Sequence, residues 1–204
     1  MVRVGSQCKL FLGCLLFAGL AVFAYAQNTD SDPLDRAGQV TLNGRAASYI
    51  VHHLPVNAFP QLPASVQSQL LRRGCLIPQS YEAHQPENVV HASLERPGSS
   101  DWAVLCSAGG NVSLLVFFAD RPDPFVLATA PETSRLQAHG GTDILGFNWA
   151  IDPASPQNVH DAQIGMSYPS PRLDHDALAD SVIDRKTIYR FCAGGIWKVV
   201  ATED

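Results

Sequence analysis

Residues 101–118 read DWAVLCSAGGNVSLLVFF, two short apolar runs separated by turn-forming residues. The runs are 102–106 and 112–118, and the break between them is Ala108-Gly109-Gly110-Asn111. Apolar runs of this length, bounded by glycine and asparagine, are typical of β-strands. The stretch therefore predicts two strands that are neighbours in a sheet.

Similar runs lie on both sides of this stretch. Residues 89–94 end at a Pro-Gly-Ser-Ser turn, and residues 125–129 follow a turn that contains two prolines. Because these connections are too short to hold crossover helices, the four strands should run antiparallel as a meander. Residues 145–151 predict another strand and the Pro/Ser/Asn-rich residues 152–171 a long loop. A hairpin, 187–192 and 196–201, closes the chain.

Three segments carry helix signals. Residues 63–73 are the clearest, since Pro63 suits the first helical position and Gly74 supplies a left-handed cap. Residues 39–53 fit either a helix or two strands joined at Asn43-Gly44, and the helix is favoured. Asp174 is placed to cap a helix over residues 175–183.

These elements together define the expected fold class. The chain of 204 residues, 46% hydrophobic and 16% charged, suits one globular domain. We expect an α+β protein, with a single domain over residues 39–204 built from an antiparallel β-meander sheet of about five to seven strands and two or three helices.

The first 26 residues have the features of a secretory signal peptide. Arg3 and Lys9 precede an apolar run over residues 10–23, and Ala24-Tyr25-Ala26 offers a cleavage site. The run is shorter than the roughly 20 residues of a membrane-spanning helix, so a retained anchor is the second interpretation. Residues 27–38 are polar and are predicted to be a flexible mature N-terminus. We expect a periplasmic or secreted protein, cleaved after Ala26, with no membrane span after cleavage.

The charge balance excludes some partners. Loss of Arg3 and Lys9 with the leader changes the formal net charge from −5 to −7. An acidic chain without a basic run argues against nucleic acid or an anionic membrane surface as a partner.

Three cysteines remain after cleavage: Cys75, Cys106 and Cys192. In an oxidising compartment, one pair and one remaining thiol is the natural count. Cys75 follows a predicted helix end and Cys106 lies in a predicted strand, so a bridge between them could join helix to sheet. Cys192 is then either a buried small hydrophobe, which is favoured, or an intermolecular or reactive thiol.

Several segments carry a family resemblance: RGCLIPQ at 73–79, NVV at 88–90, DWAVLCS at 101–107, and His175-Asp176 with the C-terminal hairpin. This set is similar to a family of small exported bacterial proteins that has no assigned activity. The resemblance covers most of the mature chain from about residue 62 onward. It implies export and a Cys75–Cys106 bridge, and it implies no reaction.

The sequence offers no catalytic motif. A nucleophile elbow, H-E-x-x-H, a phosphate-binding loop, a dinucleotide loop and C-x-x-C are all absent. The adjacent His52 and His53 would face opposite sides of a strand, so at most one of them could serve a metal site. The other His and Asp candidates, His160-Asp161 and Asp174-His175-Asp176, do not have the spacing of zinc ligands. No catalytic, cofactor or metal residue is assigned, and no cofactor is expected. Formal nucleophiles without an identified base are Ser107, Ser113, Ser170 and Cys192.

The function expected from these observations is an exported, non-catalytic binding or interaction protein of the bacterial envelope. Its partner would be an envelope protein or a small ligand. The alternative is a small periplasmic hydrolase or metalloenzyme that uses some of His52, His160, His175 and Asp176. Convergence of these residues on one cleft would favour the enzyme, and scatter would favour the binding protein.

Overall fold

The computed structural model describes residues 34–42, 44–141 and 143–201. The predicted signal peptide, residues 1–26, and the first part of the predicted flexible segment lie outside these ranges. The last part of that segment is ordered in the fold, because the first strand begins at Arg36.

Within the described ranges the chain forms fourteen strands and two short α-helices of nine and six residues. Two 3₁₀ turns, Val56–Ala58 and Glu132–Arg135, connect some of them. In chain order the elements are β1 Arg36–Leu42, β2 Arg45–Val51, β3 His53–Pro55, α1 Ala64–Arg72, β4 Leu76–Pro78, β5 Val89–Ala92, β6 Asp101–Ala108, β7 Asn111–Phe117, β8 Phe125–Pro131, β9 Leu136–Ala138, β10 Ile144–Phe147, β11 Trp149–Ala154, α2 Pro156–Asp161, β12 Ala177–Val182, β13 Lys186–Ala193 and β14 Ile196–Ala201.

The expected α+β class is wrong, because strands dominate the described residues and the fold is β-rich. The expectation of one meander sheet is also incomplete. The predicted meander forms correctly, with β5, β6, β7 and β8 pairing antiparallel in succession. It belongs, however, to a six-stranded sheet that also contains β3 and β4, and two four-stranded sheets accompany it.

The two further sheets are built from the remaining strands. One has the order β1-β2-β10-β9, in which β10 runs parallel to β2, and the other has the order β11-β12-β13-β14 with every pair antiparallel. The chain passes from one sheet to another at His52, between β2 and β3, and at Asn148, between β10 and β11. At each of these junctions the connection between two sheets is a single residue long.

Strand β6 is the centre of the packing. Its alternate residues Ala103 and Leu105 join one apolar core with Phe147 and Trp149, from β10 and β11. The residues between them, including Val104, join a second core that α1 covers. The alternation of side chains along a strand thus places β6 between a helix on one face and the other sheets on the opposite face.

The helix predicted over residues 39–53 is a hairpin of β1 and β2, as the Asn43-Gly44 alternative indicates. Leu42 pairs with Arg45, and Gly44 has a φ of +77°, which suits a tight turn. Strand β10 pairs with β2 at Ile144 and Leu145. Tertiary pairing of this kind decides between helix and strand in short segments whose apolar residues fit the periodicity of either.

The helix predicted over residues 175–183 is also wrong, because the segment forms β12. Leu178 is buried in the first core, and Asp180 accepts a hydrogen bond from Trp149 Nε1 at 2.6 Å and one from Arg190 Nε at 2.7 Å. Residues two apart share a face in a strand and not in a helix. The core contact of Leu178 and the Trp149 contact of Asp180 therefore require the extended form.

The clearest predicted helix and the terminal hairpin are confirmed. Helix α1 follows Pro63, and Gly74 adopts a φ of +68° after its last turn. Strands β13 and β14 pair antiparallel around Gly194 and Gly195. The predicted loop over residues 152–171 contains α2, which begins with a capping box of Ser155 and Asn158.

The structure contains the Cys75–Cys106 disulfide, with a Cα–Cα distance of 5.0 Å. The bridge closes a sequence separation of 31 residues, and loop entropy gives a stabilisation of about 3 to 4 kcal/mol. Cys192 is free and buried, and burial is the main cause that raises the pKa of its thiol. Among the described residues, no helix is both long and apolar enough to cross a bilayer.

Candidate functional site

The residues considered for an enzyme do not come together. His52 lies at the β2–β3 junction, where it contacts Asp35. His160 lies in α2 and contacts Arg172, while Asp176 accepts a hydrogen bond from the Ser93 amide before β12. His175 is buried, and no hydrogen bond joins it to the other candidates. Within the described part of the chain, no group of three or more His, Cys, Asp or Glu is placed to hold a metal ion.

A buried polar cluster surrounds His53 at the β2–β3 junction, on the face opposite to His52. The sequence did not reveal this cluster. Glu132 accepts hydrogen bonds from Arg36 at 2.6 Å, from His53 Nε2 at 3.0 Å and from the Ser107 hydroxyl. The side chains of His53 and Glu132 are 0% and 2% exposed. We refer to Arg36, His53, Ser107 and Glu132 as the buried cluster.

The electrostatics of the buried cluster favour a structural role. Desolvation acts to raise the pKa of Glu132, but the hydrogen bonds from His53 and Ser107 outweigh it, so the pKa lies below its ordinary value. Glu132 is therefore an ionised acceptor that ties β1, β3 and β6 together. Ser107, a formal nucleophile in the sequence, donates its hydroxyl hydrogen bond to this carboxylate, and no hydrogen bond joins it to a histidine among the contacts of the described residues.

A cleft of about 350 Å³ opens on the exposed face of the same junction. Its volume is at the lower end of the range for small-molecule sites. Apolar side chains of β2 and β10 form much of its surface, and the segment after β4 supplies polar groups. The lining residues are Ile50, His52, Gln79, Ser80, Tyr81, Ala83, His139, Ile144, Leu145, Gly146 and Phe147. We call this site the His52 cleft.

Tyr81 is held rigidly at one side of the His52 cleft. Its amide donates to the Phe147 carbonyl at 2.9 Å, and its hydroxyl donates to Asp184 at 2.8 Å and accepts from Gln137 at 3.1 Å. Desolvation and the Asp184 carboxylate raise the pKa of Tyr81 to about 12. Tyr81 is therefore an uncharged phenol at physiological pH, and both roles of its hydroxyl are occupied.

His139 stacks against Tyr81, and the two side chains form an aromatic wall of the cleft. Its ring stacks on Tyr81 with a centroid distance of 4.4 Å and an interplanar angle of 5°. Gly146 of β10 lies beneath the pair, and a Cβ atom there would be 2.6 Å from Tyr81 Cβ and 2.9 Å from His139 Nε2. Only glycine leaves room for the stacked rings at this position.

His52 is the lining side chain with a defined unused nitrogen. Its Nδ1 lies 2.8 Å from Asp35 Oδ2, and the carboxylate is 9% exposed while the imidazole is 64% exposed. In contrast, the Gln79 side chain is fully engaged with backbone groups of Ile77 and Glu87. Among the contacts of the described residues, none involves Nε2 of His52, so this nitrogen is open to a ligand or to water.

The described lining of the His52 cleft includes one side chain of a common nucleophile type. Ser80 is the only hydroxyl of the aliphatic type on the described lining, and it accepts a hydrogen bond from the Glu82 amide at 3.3 Å. No hydrogen bond joins Ser80 to His52 among the contacts of the described residues, so a nucleophile with its base is not assembled.

A larger groove of about 610 Å³ lies beside α1, but fewer of its side chains are free to contact a ligand. Its aromatic residues Trp102 and Phe117 are 7% and 4% exposed, because they pack into the second core. The charged residues at its rim pair with protein groups, Arg121 with Glu95 and Asp120 with Arg96. The smaller His52 cleft is therefore the better candidate site.

Comparison of the chain with protein-family models, with curated proteins and with solved structures finds no match in any of the three. The family resemblance drawn from the sequence motifs thus stays a prediction.

Proposed function

We propose that this protein is an exported, non-catalytic binding protein that takes a small molecule into the His52 cleft. The observation that carries the proposal is the combination of a preorganised Tyr81–His139 wall with the unused Nε2 of His52 in one cavity. A rigid apolar cavity with few placed polar groups is the usual form of a ligand site, because little ordering is needed when the ligand binds.

The alternative of a hydrolase or metalloenzyme has weaker support. Of the four residues from which it would draw its catalytic or metal-binding groups, His52 alone lines the cleft, while His160, His175 and Asp176 contact other groups. A reaction needs these groups on one reacting atom, and their separate positions leave the enzyme without a nucleophile–base pair.

Export to the periplasm or the medium is part of the proposal. The leader-like residues 1–26 support it, and so does the Cys75–Cys106 bridge, since disulfides persist in oxidising compartments. The native mass of the protein from the host envelope tests this part. We expect a chain that begins at Gln27, with one bridge and one free thiol. A mass that still includes residues 1–26 would contradict export with cleavage after Ala26.

The binding proposal is tested with the uncharged fluorescent probe N-phenyl-1-naphthylamine. We expect saturable fluorescence enhancement at sub-millimolar probe for the wild type and its loss in Ile50→Trp, which fills the cleft. The matched control is Ile164→Trp, because Ile164 is 74% exposed and does not line the cleft. Absence of saturable enhancement in the wild type, or equal loss in both variants, would overturn the proposal.

A further inference from the structure

The charge of the His52 cleft restricts the class of ligand, and this inference rests on the proposed function. None of the described lining residues is Lys, Arg, Asp or Glu. A ligand carboxylate, phosphate or ammonium would lose its hydration there without gaining a formally charged partner from the lining. The lining therefore favours an uncharged ligand.

The shape of the cleft adds a second restriction. The rings of Tyr81 and His139 are stacked and only 5° from parallel, and Gly146 keeps the pair close to β10. Ile50 and Ile144, which are not buried in a core, contribute apolar surface to the same cavity. A rigid planar molecule of one or two rings buries apolar area against such surfaces with little loss of conformational freedom.

The hydrogen bonds within the protein give the third restriction. Asp35 can accept only from a protonated Nδ1, so the neutral imidazole of His52 carries its proton on Nδ1 and a lone pair on Nε2. Nε2 in this tautomer accepts and does not donate. The hydroxyl of Tyr81 and the amide of Gln79 are committed to protein groups, and the Ser80 hydroxyl can act as donor or acceptor.

We infer that the ligand of the His52 cleft is an uncharged, planar molecule with an O–H or N–H donor, such as a phenol, which donates to Nε2 of His52. Asp35 is a positioning residue, because it selects the tautomer that accepts this proton. The ligand ring lies in the apolar cavity beside Tyr81 and His139.

Three compounds that share one ring system test the inference. 2-Naphthol carries the donor, 2-methoxynaphthalene lacks it, and 2-naphthoate replaces it with a charge. Each competes against N-phenyl-1-naphthylamine at about pH 8, where histidine is ordinarily neutral. We expect 2-naphthol to bind about fivefold more tightly than the ether, the effect of one net hydrogen bond, and 2-naphthoate to bind more weakly than both.

Two variants separate the hydrogen bond from general apolar binding. His52→Phe should bring 2-naphthol and 2-methoxynaphthalene within about twofold of each other, because the acceptor is gone. The control His84→Phe changes an exposed histidine that does not line the cleft and should keep the wild-type preference. Asp35→Ala should weaken 2-naphthol and leave the ether unchanged.

The outcomes distinguish this inference from the proposed function. Equal binding of 2-naphthol and its ether to the wild type, or tightest binding of 2-naphthoate, would overturn the donor inference while Ile50→Trp still showed a ligand site. Failure of every compound to compete, with probe fluorescence unchanged by Ile50→Trp, would overturn both.

Discussion

His52 and His53 are neighbours in the chain but belong to two different environments. His53 is fully buried and donates from Nε2 to Glu132, whose other hydrogen bonds come from Arg36 and Ser107. His52 is largely exposed, and Asp35 engages one of its nitrogens. The buried cluster uses its histidine to join strands, whereas the His52 cleft keeps a ring nitrogen unused. One histidine is thus structural on the buried face of the junction, and its neighbour has a ring nitrogen open to the cleft on the other face.

The largest effect is expected from Glu132→Ala, which removes the acceptor of the buried cluster. His53, Ser107 and Arg36 would lose their common partner, so the free energy of unfolding should fall by about 3 to 5 kcal/mol. Urea denaturation measures the loss. His53→Ala should produce much of the same loss, and the double variant should cost less than the sum. Glu82→Ala, at an exposed site, is the control and should stay within about 0.5 kcal/mol. If the free energy of unfolding fell only slightly in Glu132→Ala, the buried cluster would contribute no more to stability than the exposed His52 does.

The second effect concerns the wall of the His52 cleft. Gly146→Ala places a Cβ atom within 2.6 Å of Tyr81 Cβ, so the stacked pair must shift. We expect a loss of about 1 to 3 kcal/mol in stability together with loss of probe binding. Thermal denaturation and probe titration give the two quantities. The matched control is Gly98→Ala, where the new methyl group meets no atom within 4 Å and only the positive φ of 75° opposes it. Normal probe binding by Gly146→Ala would show that the wall does not shape the site.

Tyr81→Phe is expected to have a smaller effect that depends on pH. Loss of the hydrogen bonds to Asp184 and Gln137 should cost about 1 kcal/mol at neutral pH. The pKa of Tyr81 is raised from 10.0 to about 12, so its contribution is fully present below pH 10 and is lost as the pH rises towards about 12. The difference between wild type and variant, measured by urea denaturation, should therefore shrink over that interval. A difference that stayed constant or grew with pH would contradict the raised pKa of Tyr81 in the folded protein.

The smallest effect on stability is expected from His52→Ala. The pair with Asp35 is largely exposed on the imidazole side, and such pairs contribute about 0 to 1 kcal/mol. Binding of 2-naphthol, in contrast, should weaken by about fivefold. Denaturation and competition titration on one preparation compare the two quantities. A stability loss as large as that of His53→Ala would remove the distinction between the two faces.

Much of the fold followed from local signals. The turn residues between residues 89 and 130 predicted the antiparallel meander, and Pro63 with Gly74 predicted the bounds of α1. The two wrong helices share one cause. Residues 39–53 and 175–183 have apolar residues at spacings that fit a helix or a strand, and pairing with β10 and β11 decided between them.

The candidate site was less predictable than the fold. The opposite orientation of His52 and His53 followed from the alternation of a strand. Tyr81, His139 and Gly146 gave no motif, because they are far apart in sequence and contact one another only after β4, β9 and β10 are placed. The partners Asp35 and Glu132 were missed for the same reason.

The sequence by itself determined the leader-like segment, the acidic charge, the central meander and the pairing options of its cysteines, since these depend on composition or on neighbours in the chain. Tertiary structure alone decided that the fold is β-rich, that His53 meets Glu132 and that His52 borders a cleft. These features depend on contacts between residues separated by up to 103 positions, as between Tyr81 and Asp184. Local periodicity does not encode such contacts, because they form only when several sheets bury their apolar faces against one another.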